Sequence, residues 1–399
     1  MNSSDMHRTA EPLSLYLHIP FCDHKCAYCD FNSYAGLERM IPAFTDALVH
    51  ELAIWAPDVA GRPVSTVFVG GGTPSLMPLP AMARVLDAIR AHYALAPDAE
   101  ISLEANPGTV DEPYLAGLRA LGVNRLSIGV QSLDDRELRA LDRIHDARAA
   151  VAAYEAARAA GFENINLDLI FGVAGQTLAG WESNLRRALA LGPEHLSLYA
   201  LTVEDGTPLA AQIARGVAPE PDGDVQAAMY ERTEDRMADA GYEHYEISNW
   251  CRPGRECRHN LVYWTDGEWL GLGPGAHSHL GGARFAVVRS PATYIQRLKE
   301  APHPGASIAE RMPQIDGFEL PDEATNRADA ATLALRLNRG LDCAAFRERF
   351  AVTPDEAFGG AMAECEAIGL LTRNGGALRL TRRGRLLSNE VFVRLLDER

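Results

Sequence analysis

The sequence lacks the features that place a protein in a membrane or outside the cell. No run of apolar residues is long enough to span a bilayer, and the first residues, MNSSDMHRTAEP, contain no apolar signal core. Only seven cysteines occur in 399 residues, and three of them are clustered near the start, which fits a reducing cytoplasm better than a disulfide framework. We therefore expect a cytoplasmic protein without a transmembrane segment.

Positive charge is also scarce. Lysine and arginine total 38 against 54 aspartates and glutamates, so the formal net charge is −16 and nucleic acid is not expected as the main partner. The charge is uneven, because the segment from Leu370 to the end contains seven arginines and three acidic residues. This basic end invites a nucleic-acid interpretation, but the acidity of the whole chain opposes it.

The stretch with the clearest chemistry is SLYLHIPFCDHKCAYCDFNSY, which begins at Ser14. It places Cys22, Cys26 and Cys29 directly after an apolar run that predicts a strand. Three thiolates do not complete a structural zinc site, which takes four protein ligands. They do suit a 4Fe–4S cluster in which one iron has no protein ligand and can bind a small chelating molecule. Three incidental cysteines, or part of a zinc site, are the alternatives.

Strand and helix patterns alternate over the first half of the chain. The predicted strands are Ser14–Ile19, Ser65–Val69, Glu100–Ala105, Arg125–Val130, Asn164–Phe171 and His195–Leu201. The helical patterns between them include Ile41–Trp55, Pro80–Tyr93, Ala147–Ala160 and Leu178–Leu191. Six strands separated by helices imply βαβ units in a parallel sheet, whose reactive groups gather at the C-terminal ends of the strands.

The cysteine spacing resembles a known motif. C-x3-C-x-aromatic-C, with Tyr28 before the third cysteine, resembles the cluster motif of the radical S-adenosylmethionine (SAM) superfamily. The string YLHIPFC, which begins at Tyr16, resembles the branch that holds oxygen-independent coproporphyrinogen III oxidase and the radical-SAM haem chaperone (HemW) family. The resemblance implies an α/β fold, a partial (β/α)6 barrel with a C-terminal winged-helix-like domain. It also implies a 4Fe–4S cluster on the three cysteines, SAM on the open iron, and an electron donor such as flavodoxin or ferredoxin.

Residues after the second and third predicted strands match SAM-contacting positions of this family. Gly71, Gly72 and Thr73 lie in a GGGTP segment, where glycines let the backbone approach a ligand closely. Glu104 ends the third strand, where a carboxylate suits the cationic amino group of SAM. A plain turn and a solvated carboxylate are the alternatives. The resemblance adds three further positions at the SAM site: Tyr16, Tyr28 and His277. We expect the nearby His279 to be an ordinary surface residue.

A second set of polar residues follows. Gln131, Arg143 and Asp168 match, in type and order, residues that help to surround a second SAM in the oxidase, and Ala200 would border the same cavity. Asp168 lies inside an apolar run, where a carboxylate is costly unless it is partnered. The alternative to a second SAM is a structural polar network.

The element H-N-x-x-Y-W that begins at His259 resembles one in the haem chaperone branch. Histidine is a common axial ligand of haem iron and cysteine thiolate is another, so we expect haem at His259, with Cys257 as the alternative ligand. Tyr263 and Trp264 are expected to cover a porphyrin face. A hydrogen-bonded core histidine is the simpler alternative, and a zinc site on Cys251, Cys257 and His259 lacks a fourth ligand.

The chain divides into four predicted parts. These are a tail (1–13), a barrel that includes the H-N-x-x-Y-W element (14–300), a proline- and glycine-rich linker (301–320) and a C-terminal domain (321–399). In the last part, three helical patterns and a hairpin signal at Asn374-Gly375-Gly376 resemble a winged helix.

Local features favour the chaperone over the oxidase. After Cys29 the chain continues Asp30-Phe31, whereas the oxidase pattern continues Gly-Cys. The segment before Ser14 is also shorter than the N-terminal arm that helps to enclose the oxidase site. With H-N-x-x-Y-W, these features predict a haem-binding protein that hands haem to acceptor proteins such as respiratory enzymes. The alternatives are oxidative decarboxylation of coproporphyrinogen III propionates and a radical enzyme with an unrelated substrate.

Overall fold

A computed structural model describes residues 11–299 and 312–397 of the chain. The strands are β1 (Leu13–Ile19), β2 (Phe21–Cys22), β3 (Tyr34–Ala35), β4 (Pro63–Gly71), β5 (Ala94–Ala105), β6 (Arg125–Gln131), β7 (Ile165–Phe171), β8 (His195–Ala200), β9 (Glu243–Glu246), β10 (Asn249–Cys251), β11 (Trp269–Leu272), β12 (His277–Leu280), β13 (Ala283–Val287), β14 (Ile315–Glu319), β15 (Leu341–Asp342), β16 (Leu371–Asn374) and β17 (Ala377–Leu380). Most of the predicted tail and of the predicted linker lies outside the described residues.

The helices are α1 (Ile41–Trp55), α2 (Leu79–His92), α3 (Glu112–Ala120), α4 (Asp135–Ala140), α5 (Ala147–Ala159), α6 (Leu178–Leu191), α7 (Pro208–Ala214), α8 (Gly223–Asp239), α9 (Arg258–Trp264), α10 (Pro291–Leu298), α11 (Glu323–Arg336), α12 (Cys343–Phe350), α13 (Pro354–Ala367), α14 (Arg382–Leu386) and α15 (Ser388–Asp397). Within the described ranges, no helix is both long and apolar enough to cross a bilayer.

Six parallel strands form the centre of one twelve-stranded sheet. β1, β4, β5, β6, β7 and β8 are hydrogen-bonded in that order, and helices connect them. The predicted α/β fold, with six βα-type strands, is therefore confirmed. β11 pairs in parallel with the other side of β1, and β12, β13 and β14 extend the sheet from there. β10 and β9 extend it beyond β8 in antiparallel orientation.

The alternation in β1 explains how a buried strand also supplies polar side chains. Leu15 and Leu17 are fully buried in the main hydrophobic core. The residues between and beside them, Tyr16 and His18, face the barrel interior, where Tyr16 lines a chamber and His18 lies against Gly71. Successive side chains of a strand point to opposite faces, so one segment serves both the core and the site.

The sequence pattern over Tyr242–Trp250 predicts one further strand, and this prediction is wrong, because the chain turns there. β9 and β10 form a hairpin, and the Glu246 carboxylate accepts hydrogen bonds from the Ser248 amide (3.2 Å) and from the Asn249 side chain. These local bonds satisfy the backbone of the turn and make the two-strand arrangement favourable.

The C-terminal part has a hydrophobic core of its own, built from α11, α12, α13, α15 and a small sheet. The predicted hairpin is present as β16 and β17, and β15 adds a third strand that the sequence did not reveal. Arg382 and Arg385 form ion pairs with Glu234 of α8 (2.8 and 2.6 Å). At least part of the basic end therefore pairs with the acidic barrel.

Candidate functional site

A cavity of about 440 Å³ opens at the C-terminal ends of the parallel strands. It brings together most of the residues that the sequence predicted: Cys22, Cys26, Tyr28, Cys29, Gly71, Gly72, Thr73, Glu104, Gln131, Arg143, Asp168 and Ala200. We call this the upper cavity. Three predicted residues do not line it: Tyr16, His259 and His277.

The three cysteines run from the end of β2 into the loop that follows it, and neighbouring segments donate hydrogen bonds to two of their sulfur atoms. The Cys29 amide donates to the Cys26 carbonyl (3.1 Å), Thr73 Oγ1 donates to Cys22 Sγ (3.5 Å), and Arg143 Nη1 donates to Cys26 Sγ (3.4 Å). All three thiols are free. Among the described residues, no three His, Cys, Asp or Glu side chains are grouped closely enough to hold one metal ion. Soft sulfur donors with hydrogen-bond donors beside them suit iron–sulfur ligation.

The glycine segment packs directly against the cysteine loop. Gly71 has φ +113°, and a Cβ atom there would lie 2.7 Å from the His18 ring. A Cβ atom at Gly72 would lie 2.6 Å from the Phe21 carbonyl oxygen and 3.1 Å from Cys22 Sγ. At Gly71 both the close packing and the positive φ require glycine, and at Gly72 the close packing requires it. A plain turn would not need such close packing.

Glu104 links the glycine segment to the barrel interior. Its Oε2 accepts a hydrogen bond from the Gly71 amide (3.0 Å). Enclosure within the barrel, followed by the nearby Asp168 carboxylate, raises the pKa of Glu104 to about 8. A carboxylate in this setting favours a cationic partner, and the amino group of SAM provides one.

The second polar set is held mainly by the protein itself. Asp168 accepts hydrogen bonds from Ser127 (2.9 Å) and Asn166 (2.8 Å), and burial raises its pKa. Arg143 Nη2 donates to Asn106 Oδ1 (2.8 Å) and to the Gly129 carbonyl (3.0 Å). These partners match the structural-network alternative, and a second SAM stays a prediction.

Sequence reasoning missed Asn106, which connects two parts of the site. Its Nδ2 donates to Thr73 Oγ1 (2.9 Å), while its Oδ1 accepts from Arg143. Asn106 follows Glu104 by two residues, so its place beyond a strand end was a usable signal.

A smaller chamber of about 220 Å³ lies beneath the upper cavity, and residues of α9 form part of its wall. The two spaces share the walls Glu104, Ser127, Asp168 and Tyr199. Tyr16, His259 and Tyr263 line this lower chamber. His259, Asn260 and Tyr263 of the H-N-x-x-Y-W element therefore form part of its wall, away from Cys22, Cys26 and Cys29.

His259 is 1% exposed, and both of its ring nitrogens have partners. Nδ1 lies 2.7 Å from Thr66 Oγ1, and Nε2 lies 2.9 Å from Tyr263 Oη. Because the Thr66 hydroxyl donates to Ser14 (2.8 Å), His259 Nδ1–H donates to Thr66, and Nε2 accepts from Tyr263. Burial lowers the pKa of His259 to about 3, so the imidazole is neutral. Iron could reach Nε2 only in place of the tyrosine hydroxyl.

The alternative ligands near His259 are protonated thiols. Burial raises the pKa of Cys251 and of Cys257 to about 12, and Cys257 Sγ donates to Glu100 (3.7 Å). Thiolate is the form that binds zinc or haem iron, so both sites are disfavoured. Trp264 lies outside the chamber, beneath the Arg336 guanidinium at 4.3 Å from the ring centroid.

The two histidines of the segment after α9 are placed opposite to expectation. His277 is exposed and does not line the upper cavity. His279, expected at the surface, is buried, with Nδ1 3.2 Å from the Gly267 carbonyl oxygen and 3.6 Å from Asp266. The two residues are two apart in β12, so their side chains point to the same face of the sheet, and the neighbouring Asp266–Gly267 turn covers only His279.

Comparisons with known proteins agree with this geometry. A model of the Radical SAM superfamily matches residues 16–188, and a model of the HemN C-terminal domain matches residues 328–387. Coproporphyrinogen III oxidase (HemN) from Escherichia coli has a similar structure, with a TM-score of 0.84, 26% identity, and coverage of 98% of this chain and 92% of that chain.

Relatives in sequence are more specific. Heme chaperone HemW of Mycobacterium tuberculosis is 42% identical over 389 residues, which are 97% of this chain and 95% of that protein. Heme chaperone HemW of Bacillus subtilis is 35% identical over 96% of this chain and 99% of that protein. The chain therefore belongs to the HemW family of radical-SAM proteins.

Proposed function

We propose that this protein is a cytoplasmic haem chaperone, which binds haem and transfers it to acceptor proteins such as respiratory enzymes. The observation that carries the proposal is the similarity to proteins named heme chaperones, which extends over 97% of this chain. Phe31 supports the proposal. This aromatic side chain lines the upper cavity and is 61% exposed, and the oxidase pattern has cysteine at the same position.

We further propose that Cys22, Cys26 and Cys29 hold a 4Fe–4S cluster, as the radical SAM family implies. When bound, such a cluster supplies one electron for the reductive cleavage of SAM, and a flavodoxin- or ferredoxin-like donor would replace that electron. The protein's part is binding: the Gly71–Thr73 backbone approaches the ligand, and Glu104 accepts from its amino group. Tyr28 contributes to the wall of the same cavity.

The predicted haem ligand is His259, and its neutral imidazole suits iron. Ligation requires the Tyr263 hydroxyl to leave Nε2. The lower chamber, at about 220 Å³, is also smaller than the pockets of roughly 300–1,000 Å³ that take small molecules, so α9 would move to admit a porphyrin. Cys257 remains the alternative ligand, and its protonated thiol disfavours it.

The test is an anaerobic haem titration of the cluster-loaded protein. A saturable Soret shift is expected from the wild type. Cys26→Ala, which removes one cluster ligand, shows whether the cluster is needed for haem binding. No shift at any haem concentration would contradict the proposed function.

The second candidate function is oxygen-independent coproporphyrinogen III oxidation, which the structural similarity to the E. coli oxidase favours. Anaerobic incubation with coproporphyrinogen III, SAM and a reductant, followed by product analysis, separates the two. We expect no protoporphyrinogen, and its formation would establish the oxidase function instead.

A further inference from the structure

Glu51 is a buried carboxylate in the middle of α1 that no part of the proposed function uses. It is fully buried and accepts hydrogen bonds from three separate segments. Its Oε2 accepts from the Gly273 amide (2.8 Å) and from Tyr294 Oη (2.6 Å), and its Oε1 accepts from Gln314 Nε2 (3.1 Å). One side chain thus ties α1 to the turn after β11, to α10 and to the chain before β14.

The Gly273 turn is packed against the strand that leads to the cysteines. Gly273 has φ +93°, and a Cβ atom there would lie 2.4 Å from the His18 carbonyl oxygen. The next residue, Pro274, accepts a hydrogen bond from Asn32 Nδ2 (2.9 Å), and the Asn32 carbonyl oxygen accepts from His18 Nε2 (2.9 Å). The turn therefore fixes His18 both through its backbone and through its ring.

The His18 ring in turn supports the glycine segment of the upper cavity. It lies where a Cβ atom of Gly71 would be, and the Gly71 amide donates to Glu104. We propose that Glu51 is a positioning residue for the SAM site: its carboxylate holds the Gly273 turn against His18, and His18 sets the position of Gly71. This inference rests on the proposed SAM site and adds a residue on the far side of β1 from the ligand.

The charge on Glu51 decides how well it holds the turn. An ionised carboxylate accepts from all three donors, whereas a neutral carboxyl carries a proton that needs an acceptor. Gln314 Oε1 is buried without a partner and would accept that proton after an amide flip. Burial raises the pKa of Glu51 to about 7, and the facing Tyr294 and Tyr93 have raised pKa values and stay neutral near that pH.

The experiment compares SAM affinity across pH in cluster-loaded wild type and Glu51→Gln, in which glutamine mimics the neutral carboxyl. At about pH 8 we expect SAM binding to be about tenfold weaker in the variant, falling to about twofold at about pH 6. The ratio of the two affinities is used because Glu104, present in both proteins, titrates in the same range. Asp46→Asn makes the same chemical change at an exposed position of α1 and should have no effect.

Tyr294→Phe is the second variant, because it keeps the carboxylate and removes one donor to it. The Tyr294 hydrogen bond lowers the pKa of Glu51, so this variant should move the pH midpoint of SAM affinity upward. A merely structural role predicts lower melting temperatures but unchanged SAM affinity and an unchanged pH midpoint, and that result would overturn the inference.

A readout without SAM separates this inference from the proposed function. Amide hydrogen exchange at Gly273 and Gly71 should be faster in Glu51→Gln than in wild type and unchanged in Asp46→Asn. Faster exchange at both glycines in a protein that binds no SAM would support the positioning role and contradict only the SAM site. Unchanged exchange at Gly71 would overturn the positioning role itself.

Discussion

The upper cavity and the lower chamber share four walls but are built differently. Loops after the strands form the upper cavity, and its surroundings contain unusual backbone: Gln131 and Asp142, neither of them glycine, have φ values of +63° and +55°. Side chains of α9 form part of the wall of the lower chamber, and both ring nitrogens of His259 there have hydrogen-bond partners. Strained backbone tends to occur at functional sites, whereas satisfied buried networks rigidify a core.

The two proposed ligands therefore meet different obstacles. At the proposed SAM site, the glycine segment and Glu104 are already in contact with each other. Haem at His259 would first have to break a hydrogen bond and displace a helix. The cluster and SAM assignments therefore depend on local chemistry, while the haem assignment depends on a conformational change.

Loss of one cluster thiol is the largest expected effect on the upper cavity. Cys26→Ala should abolish the reconstituted iron–sulfur absorbance, because three thiolates are the minimum set on that loop. Cys343→Ala, in the C-terminal part, is the control and should leave the absorbance intact. A full cluster in Cys26→Ala would contradict the assignment of Cys26 as a cluster ligand.

The matching change in the lower chamber is His259→Ala. It should remove the Soret shift, because it deletes the neutral imidazole nitrogen that would bind iron. Tyr263→Phe frees that nitrogen and should tighten haem binding by about 1 kcal/mol. A Soret shift that survives His259→Ala but is lost in Cys257→Ala would move the ligand and keep the chaperone.

Glu104→Gln tests the wall between the two spaces. It should weaken SAM binding by about 1.5–3 kcal/mol, the worth of one charged hydrogen bond, when measured by calorimetry on the cluster-loaded protein. An unchanged affinity would remove Glu104 from the SAM site.

The same variant has a pH signature without SAM. The raised pKa of Glu104, about 8 against an ordinary 4.5, means that the folded state holds a proton that the unfolded state releases. Its contribution to stability is present below about pH 4.5 and is lost as the pH rises through about 8. The free energy of unfolding, measured by denaturant titration, should therefore depend less on pH over this window in Glu104→Gln than in the wild type.

Gly71→Ala should have the smallest of these effects on the upper cavity, a destabilisation of about 1–3 kcal/mol from backbone strain with weakened SAM binding from displacement of the His18 ring. Gly61→Ala is the matched control, since Gly61 has φ +82° but nothing within 4 Å of a Cβ atom. It should lose stability and keep SAM affinity. Equal loss of SAM affinity in both variants would show that close packing at Gly71 does not matter.

Much of this architecture was predictable from local patterns. The helices Ile41–Trp55 and Leu178–Leu191 begin and end where their patterns predicted. The cysteines and the glycine segment share a cavity because both follow parallel strands, and strand ends meet at one edge of a sheet. Chemistry that depends only on strand order and short motifs is visible in the sequence.

What the sequence concealed depends on contacts between distant segments. His259 was expected to be available to haem, but Thr66, which lies 193 residues away in β4, accepts a hydrogen bond from its Nδ1. Glu51 reads as one acidic position in an amphipathic helix, and only tertiary packing brings the Gly273 amide to it. Burial of a polar side chain and the identity of its partner are set by the assembled fold.

Transfer of haem to an acceptor tests the central claim most directly. Haem-loaded protein is mixed anaerobically with increasing amounts of an acceptor in its haem-free form, and the acceptor's Soret band is followed over time. A chaperone that hands haem over directly gives a transfer rate that rises with acceptor concentration. A rate that is independent of the acceptor, equal to the passive loss of haem from this protein, would contradict the account.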